Sequence, residues 1–395
     1  MTLLEGQSAP QRSTTARGRF EFVLFADLAS AEAEWRALET VAVMTPYQRF
    51  DWIEALIAAG LEASEGLTIA AIRQDGATVA LLPLVIKRRF GVRIAAMPGT
   101  DSSNSDWLIA RPDFHIDAFE LHTLLRQICA AAGGADLVTF HNQPARWQGV
   151  DNPVLALAQA PAASNFYMAT IGPTPSPYIE HRLTTKRRNN IKRGMRRLEE
   201  NFGPLRAVRV SDTETLELAH RVFLDQRGAR FGEMGVRNVF ADEGFIRFFR
   251  ALAPKGFGQS RPALCLHVLY AGEDIVATCW GAAAGNHYSQ YINSTSNGPA
   301  SQYSLMAILI GMIMDDLTQS GIVTVDMGLG DFAYKMEWTE PMTVYHSVIP
   351  LTLRGRLAAR LLGLRASLKR QIKQTPWLWD AAKRLRQALY RLIHR

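Results

Sequence analysis

The chain has 395 residues, 48% hydrophobic and 21% charged, a composition that excludes a disordered protein, and its length points to two domains. Three scattered cysteines (Cys129, Cys265, Cys279) exclude a disulfide framework or a Cys/His zinc module and fit a reducing, cytoplasmic compartment. The net charge of +7 is local: residues 354–395 carry twelve Lys/Arg and one acid, the rest sums to −4, and the globular part is therefore not read as a nucleic-acid binder.

In chain order, 1–18 lacks the apolar core of a secretory signal and reads as a mobile leader. A first domain is expected over 19–171. Within it LTIAAIR (67–73), TVALLPLVIKR (78–88) and VRIAAMPG (92–99) read as strands, separated by turns at Asp75-Gly76 and Gly91. A helix over about 114–132 and a buried strand at 135–142 follow. A Pro-rich linker, 172–183, leads to a second domain over 184–353. It opens with a charged helix, TTKRRNNIKRGMRRLEENFG (184–203), whose seven bases between 186 and 197 form either a solvated face or an anion-contacting one. Strands at 263–270, 275–284 and 287–295, a helix over 301–319 and a strand at 322–328 then repeat the order of the first domain. The apolar run 303–314 is shorter than the ~20 residues that span a bilayer, so no transmembrane helix is expected.

The tail, 354–395, is two amphipathic segments parted by Pro376. Leu357, Leu361, Leu364, Leu368 and Ile372 recur at helical spacing, as do Leu378, Ala382, Leu385, Leu389 and Leu392. With twelve Lys and Arg among the other positions, it fits an in-plane helix pair on an anionic membrane surface, a hairpin packed on the body or on a second subunit, or a nucleic-acid contact.

Two segments of the second domain concentrate groups suited to chemistry. In STSNGPASQYSLM (294–306), a turn leads from strand to helix, where unpaired N–H groups can cradle phosphates. Asn297, Gly298, Ala300, Ser301, Gln302, Tyr303 and Ser304 are the cofactor-binding candidates. In DMGLGDFAYKMEW (326–338), Asp326 closes a buried strand, Gly328 and Gly330 allow a tight turn, and titratable groups emerge where the strand leaves the sheet. Acyl transfer to an amine needs a base, a polarised carbonyl and an acid for the leaving sulfur. Tyr334 is the candidate acid, Asp331 or Glu337 the candidate base, and Lys335 a group to hold an anion by charge. Motifs for a serine hydrolase, a zinc protease or a P-loop are absent, and no metal is expected.

The element order, the RRNNIKRGMRRLEE segment, NGPASQYSLM and DMGLGDFAYKMEW together resemble the BioF2-like, CelD-type acetyltransferase family of the GNAT superfamily, over roughly residues 20–353. TPYQRFDWIEAL (45–56) and PGTDSSNSDWLI (98–109) resemble that family's first half. The resemblance implies an α/β (α+β) fold of tandem GNAT-like units, each a mixed, mainly antiparallel sheet flanked by helices, related to the Fem-type transferases that build peptidoglycan bridges. It implies acyl-CoA as donor, acetyl-CoA first, or less often aminoacyl-tRNA. The acceptor would be a small molecule or glycan precursor of a cell-envelope or polysaccharide pathway; nucleic acid enters only as a tRNA donor. The alternative to an enzyme is a non-catalytic scaffold of polysaccharide synthesis, peripheral at the inner face of the membrane. By position, Asp326, Gly328, Gly330, Asp331, Tyr334, Lys335 and Trp338 match the family's closing motif, and Arg187, Arg188 and Asn189 its charged helix. One departure stands at the cofactor turn, where this chain has Gly-Pro-Ala-Ser-Gln in place of the family's Pro-Gly followed by Leu residues.

Overall fold

β-Branched and aromatic runs broken by glycine turns make the strands, and stretches with apolar residues three and four apart make the helices that cover them. The computed structural model describes residues 11–13 and 19–393. Of the expected leader, Gln11–Ser13 pairs as a short strand with Glu21–Phe25, and the rest lies outside the described residues.

The chain forms two units, and their boundaries differ from those expected. The first is Met1–Ala163 with Thr343–Gln371; the second is Ser164–Met342 with Ile372–Arg395. The late strand Val344–Pro350 pairs in the first sheet with Leu137–Pro144. The early strand Phe166–Thr170 pairs in the second sheet with Thr324–Leu329 and Glu340–Met342. The stretch 172–183 is not a linker, because Tyr178, Ile179 and Leu183 are buried in the core of the second unit.

In the first unit Leu67–Gln74, Ala77–Arg89 and Val92–Ala96 run antiparallel in sequence. Val92–Ala96 then pairs parallel to Leu137–Pro144, the pairing that a helical crossover permits. That crossover is Ala118–Ala131, four residues later in its start than expected. Asp117 stops its N-terminal extension by accepting from the Glu120 N–H in a capping box. Leu121, Leu124, Leu125 and Ile128 face the sheet, each buried side chain contributing about 1.5–3 kcal/mol.

The second unit repeats this order. Cys265–Ala271, Asp274–Ala284 and His287–Thr295 form an antiparallel meander. The helix Leu305–Gln319 returns the chain so that Thr324–Leu329 lies parallel to His287–Thr295. Ser301, Gln302 and Tyr303, expected as the start of that helix, belong instead to a separate 3-10 turn, Pro299–Tyr303; Ser304, at φ 58°, breaks the two apart. Gly281 is required by close packing: a Cβ there would lie 1.9 Å from the Tyr288 hydroxyl, on a ring that is itself buried. Gly281→Ala should cost about 1–3 kcal/mol in urea unfolding; an unchanged midpoint would show that the ring can give way.

After the sheets, Leu353–Gln374 and Pro376–Ile393 are helices parted at Pro376, as expected. Gly355 seats the first against the Asp136 carbonyl of the first unit, while Leu357, Leu361, Leu364 and Leu368 are 59–69% exposed. Leu385 is also exposed, and Leu389 and Leu392 lie outside the described side chains. No helix among the described residues is long and apolar enough to cross a membrane.

Candidate active site

Two parallel strands of the second unit part company at its centre. His287–Thr295 pairs with Thr324–Leu329 only from His287↔Thr324 to Ser289↔Asp326. Beyond that point the ladder between them stops, although His287–Thr295 runs six residues further. The register across Asp274–Ala284 slips between Trp280 and Gly281, leaving Tyr291 as an extra residue. Such a bulge bends its strand and increases the local twist, which helps to open a wedge between the two parallel strands.

A strand end without a neighbour leaves backbone groups to satisfy. Here two buried charges meet that need on the Thr324–Leu329 side. The Asp326 carboxylate, fully buried, accepts from the Gly328 N–H at 2.7 Å and from the Ser289 hydroxyl at 2.9 Å, and lies 2.7 Å from His287 Nε2. Lys335 Nζ donates to the Leu329 carbonyl at 2.7 Å and to that of Gly328 at 3.4 Å. Burial lowers the Lys335 pKa to about 8, against the pull of Asp326 and Asp331. Gly330, at φ 105°, turns the chain so that the following residues fold back over the wedge.

The corresponding opening of the first unit is filled by its own chain. Past Ala96↔Thr139 the loop 97–106 returns, the Asp106 N–H donates to the His141 carbonyl at 3.0 Å, and the His141 N–H donates to the Asp106 carboxylate at 2.7 Å. Gln48 Nε2 adds a bond to the Ser105 carbonyl at 2.9 Å. Burial raises Asp106 to about 7.

At the mouth of the second unit's wedge is a cavity of about 230 Å³. The segments around 297–304 and 326–338 meet there. Ser301 and Ser304 line it with Leu305 and Met306 from the first turn of the apolar helix; Tyr334, Glu337 and Trp338 line it from the other side, and Arg187 from the charged helix. The Tyr334 hydroxyl accepts from Asn293 Nδ2 at 3.2 Å, and burial raises its pKa, so it holds its proton at neutral pH. Glu337 pairs with Arg187 at 2.9 Å, both partly exposed. Trp338 is fully buried beneath the cavity. A second cavity, of about 420 Å³, adjoins the first through shared Thr295 and Ser301, and Asn297 lines it.

Several expected site residues fall elsewhere. Asp326 is sealed in the sheet and Lys335 is committed to backbone carbonyls, so neither is free to hold a substrate; Gly328 and Gly330 shape the turn they serve. Asp331 lines neither cavity but accepts from Asn165 Nδ2 and the Tyr167 hydroxyl, each at 3.0 Å. Arg188 is tied to Glu180 at 2.9 Å, and Asn189 is exposed on the outer face of its helix. Ala300 is buried in the core, Tyr303 packs its ring 6.0 Å from that of Phe202, and Gln302 Nε2 donates to the Pro299 carbonyl. The Gly298 N–H donates to Ser296 Oγ at 3.1 Å. Each is held by its own local packing or hydrogen bonds.

Sequence reasoning missed Gln226 and Arg227, on the helix Thr213–Met234, and Asn293 on the bulged strand. A signal existed for Arg227: it stands four residues from both Phe223 and Phe231, on the buried stripe of its helix.

Residues 185–336 match the family described as acetyltransferase (GNAT) domain. The structure is similar to that of FemX, with 11% identity, a TM-score of 0.59, and coverage of 84% of this chain and 98% of that one. It is also similar to a conserved protein of unknown function from Bacteroides thetaiotaomicron VPI-5482, at 10% identity, a TM-score of 0.53, and coverage of 82% and 97%. No curated protein matches the sequence. The matched domain lies in the second unit, and the first unit repeats its order of an antiparallel meander, a crossover helix and a parallel strand.

Proposed function

We propose that the GNAT domain at 185–336 transfers an acyl group from acyl-CoA, acetyl-CoA first, to an amine on a cell-envelope or polysaccharide precursor, within the BioF2-like, CelD-type branch of the superfamily. The observation that carries this reading is the wedge past Ser289 and Asp326, with a protonated tyrosine at its mouth. A thioester supplies an activated carbonyl. The strand edge at 290–295 offers backbone groups alongside which its extended arm can lie. The first turn of Leu305–Gln319, with Ser301 and Ser304, offers donors toward its phosphates.

In the transfer the amine nitrogen forms a bond to the carbonyl carbon, the carbon–sulfur bond breaks, and the sulfur takes a proton from Tyr334. Asn293 and Gln290 both bond the Tyr334 hydroxyl, and its hydrogen turns to the sulfur when the thioester is seated. The proton shed by the amine goes to water or to Glu337, the carboxylate that lines the cavity. Asp331 drops out as the base because it lines neither cavity.

Aminoacyl-tRNA as donor is the second reading, and the charged helix is its support. Four of that helix's seven bases are already ion-paired: Arg187 with Glu337, Arg188 and Lys192 with Glu180, and Arg196 with Glu200. That leaves little charge for a phosphate backbone and favours acyl-CoA. Thermal-shift titration separates the readings. Acyl-CoA at 100 times its dissociation constant should add about 2.7 kcal/mol of stability. A shift with aminoacyl-tRNA alone would move the donor to RNA, and no shift with either would leave a scaffold.

The exposed leucines point to a peripheral position at the inner face of a membrane. On the helix Leu353–Gln374, Leu357, Leu361, Leu364 and Leu368 share one stripe; Arg354 and Arg365 flank one side of it, Arg356 and Arg360 the other, with no acid in the helix. An apolar stripe between arginine rows fits an anionic lipid surface, each base near it being worth about 1 kcal/mol. Changing the four leucines to glutamine should abolish cosedimentation with phosphatidylserine vesicles without altering the unfolding midpoint. Wild-type protein that ignores such vesicles, or that self-associates through this stripe, would refute the lipid assignment.

A further inference from the structure

The second cavity is lined by a half-buried cation that has no counter-ion among the described residues. Arg227 is half-buried, and among the described residues no carboxylate pairs with it. One of its terminal nitrogens donates to the Asn293 carbonyl at 3.1 Å, while its Nε is buried without a partner. The guanidinium rests 4.2 Å over the Phe231 ring. Burial lowers its pKa to about 10, and the adjacent cation Arg230, itself paired with Glu233 at 3.0 Å, pushes the same way. A charge withdrawn from water and left unpaired is costly, and proteins rarely keep one unless something arrives to meet it.

Its placement says what arrives. The cavity's wall continues through Asn293 to the Tyr334 hydroxyl and through Thr295 and Ser301 to the first cavity. A molecule seated in it lies next to the cavity that Tyr334 lines. We infer that this cavity seats the acyl acceptor and that Arg227 receives an oxyanion on it, a carboxylate or a phosphate; the acceptor is an acidic amine, such as an amino acid or a phosphorylated amino sugar. The inference rests on the acyl-transfer reading only in calling the ligand an acceptor. The oxyanion site itself stands on the unpaired cation and the open cavity beside it.

Two variants test it, Arg227→Met, which keeps bulk and removes charge, and Arg227→Lys, which keeps charge and loses the fork. Inorganic phosphate, compared with sodium chloride at matched ionic strength, should raise the melting temperature of the wild type but not of Arg227→Met. Free Arg227→Met should melt no lower than the wild type, since it removes an uncompensated charge. In turnover with acetyl-CoA and paired amines that differ only by an acidic group, Arg227→Met should raise the KM of the acidic amine about 30-fold or more. The KM of the neutral amine and of acetyl-CoA should stay within about twofold, with Arg227→Lys in between. Equal loss for both amines, or a melting temperature lowered in Arg227→Met with the phosphate response intact, would make Arg227 a structural residue and overturn the inference. A raised KM for acetyl-CoA instead would assign the oxyanion to the donor and overturn it too. A phosphate response that depends on Arg227 in a protein with no acyl-CoA turnover would uphold the oxyanion site and sink the transfer reading alone.

Discussion

Tyr334→Phe should lower kcat by about a hundredfold or more while leaving the dissociation constant of acyl-CoA within about twofold. The phenol is held by Asn293 and Gln290 and kept protonated by burial at the cavity mouth. The ring also lines that cavity, and phenylalanine preserves this packing. Loss of turnover without loss of binding is therefore the signature of an acid that acts only as the carbon–sulfur bond breaks. Equal losses in both would make Tyr334 a binding residue, and unchanged turnover would remove it from the mechanism.

The largest effect on stability is expected at Asp326. Asp326→Ala strips a partner from the Ser289 hydroxyl, the Gly328 N–H and His287 at once, all within the sheet. Removing one member of a buried, hydrogen-bonded pair costs about 3–5 kcal/mol, because the groups left behind stay away from water. A fall of that size in urea unfolding is expected, and Asp326→Asn should recover part of it by keeping an acceptor. A loss below about 1 kcal/mol would mean that water enters to replace the carboxylate. The wedge would then not be held open in the manner described.

Much of this architecture was legible in the residues. Both meanders follow from apolar and β-branched runs bounded by turns such as Asp75-Gly76, and the crossover helices from spacings such as Leu121, Leu124, Leu125 and Ile128. The exchange of strands was not legible. Phe166–Thr170 and Val344–Pro350 show no clean alternation, and nothing in either run says which sheet receives it. The site divides along similar lines. A cluster of polar residues after a buried strand singled out the segment 326–338, part of which lines the cavity, but composition does not say where each side chain is aimed. Tyr334 and Glu337 turn to the cavity; Lys335, one residue from Tyr334, turns inward to the Gly328 and Leu329 carbonyls. Arg227 was passed over because a basic residue in a long helix ordinarily marks its solvent face. Its place on the Phe223–Phe231 stripe was the evidence against that habit.

The account depends on the parted strands of the second unit being the seat of a thioester. A crystal structure of the protein with a thioether analogue of acetyl-CoA tests this most directly. The analogue's arm should run along the 290–295 strand edge, with its sulfur within about 3.5 Å of the Tyr334 oxygen and its phosphates at Ser301, Ser304 and the amides that follow. An analogue bound away from this wedge, or a wedge closed by its own side chains at saturating analogue, would contradict the account.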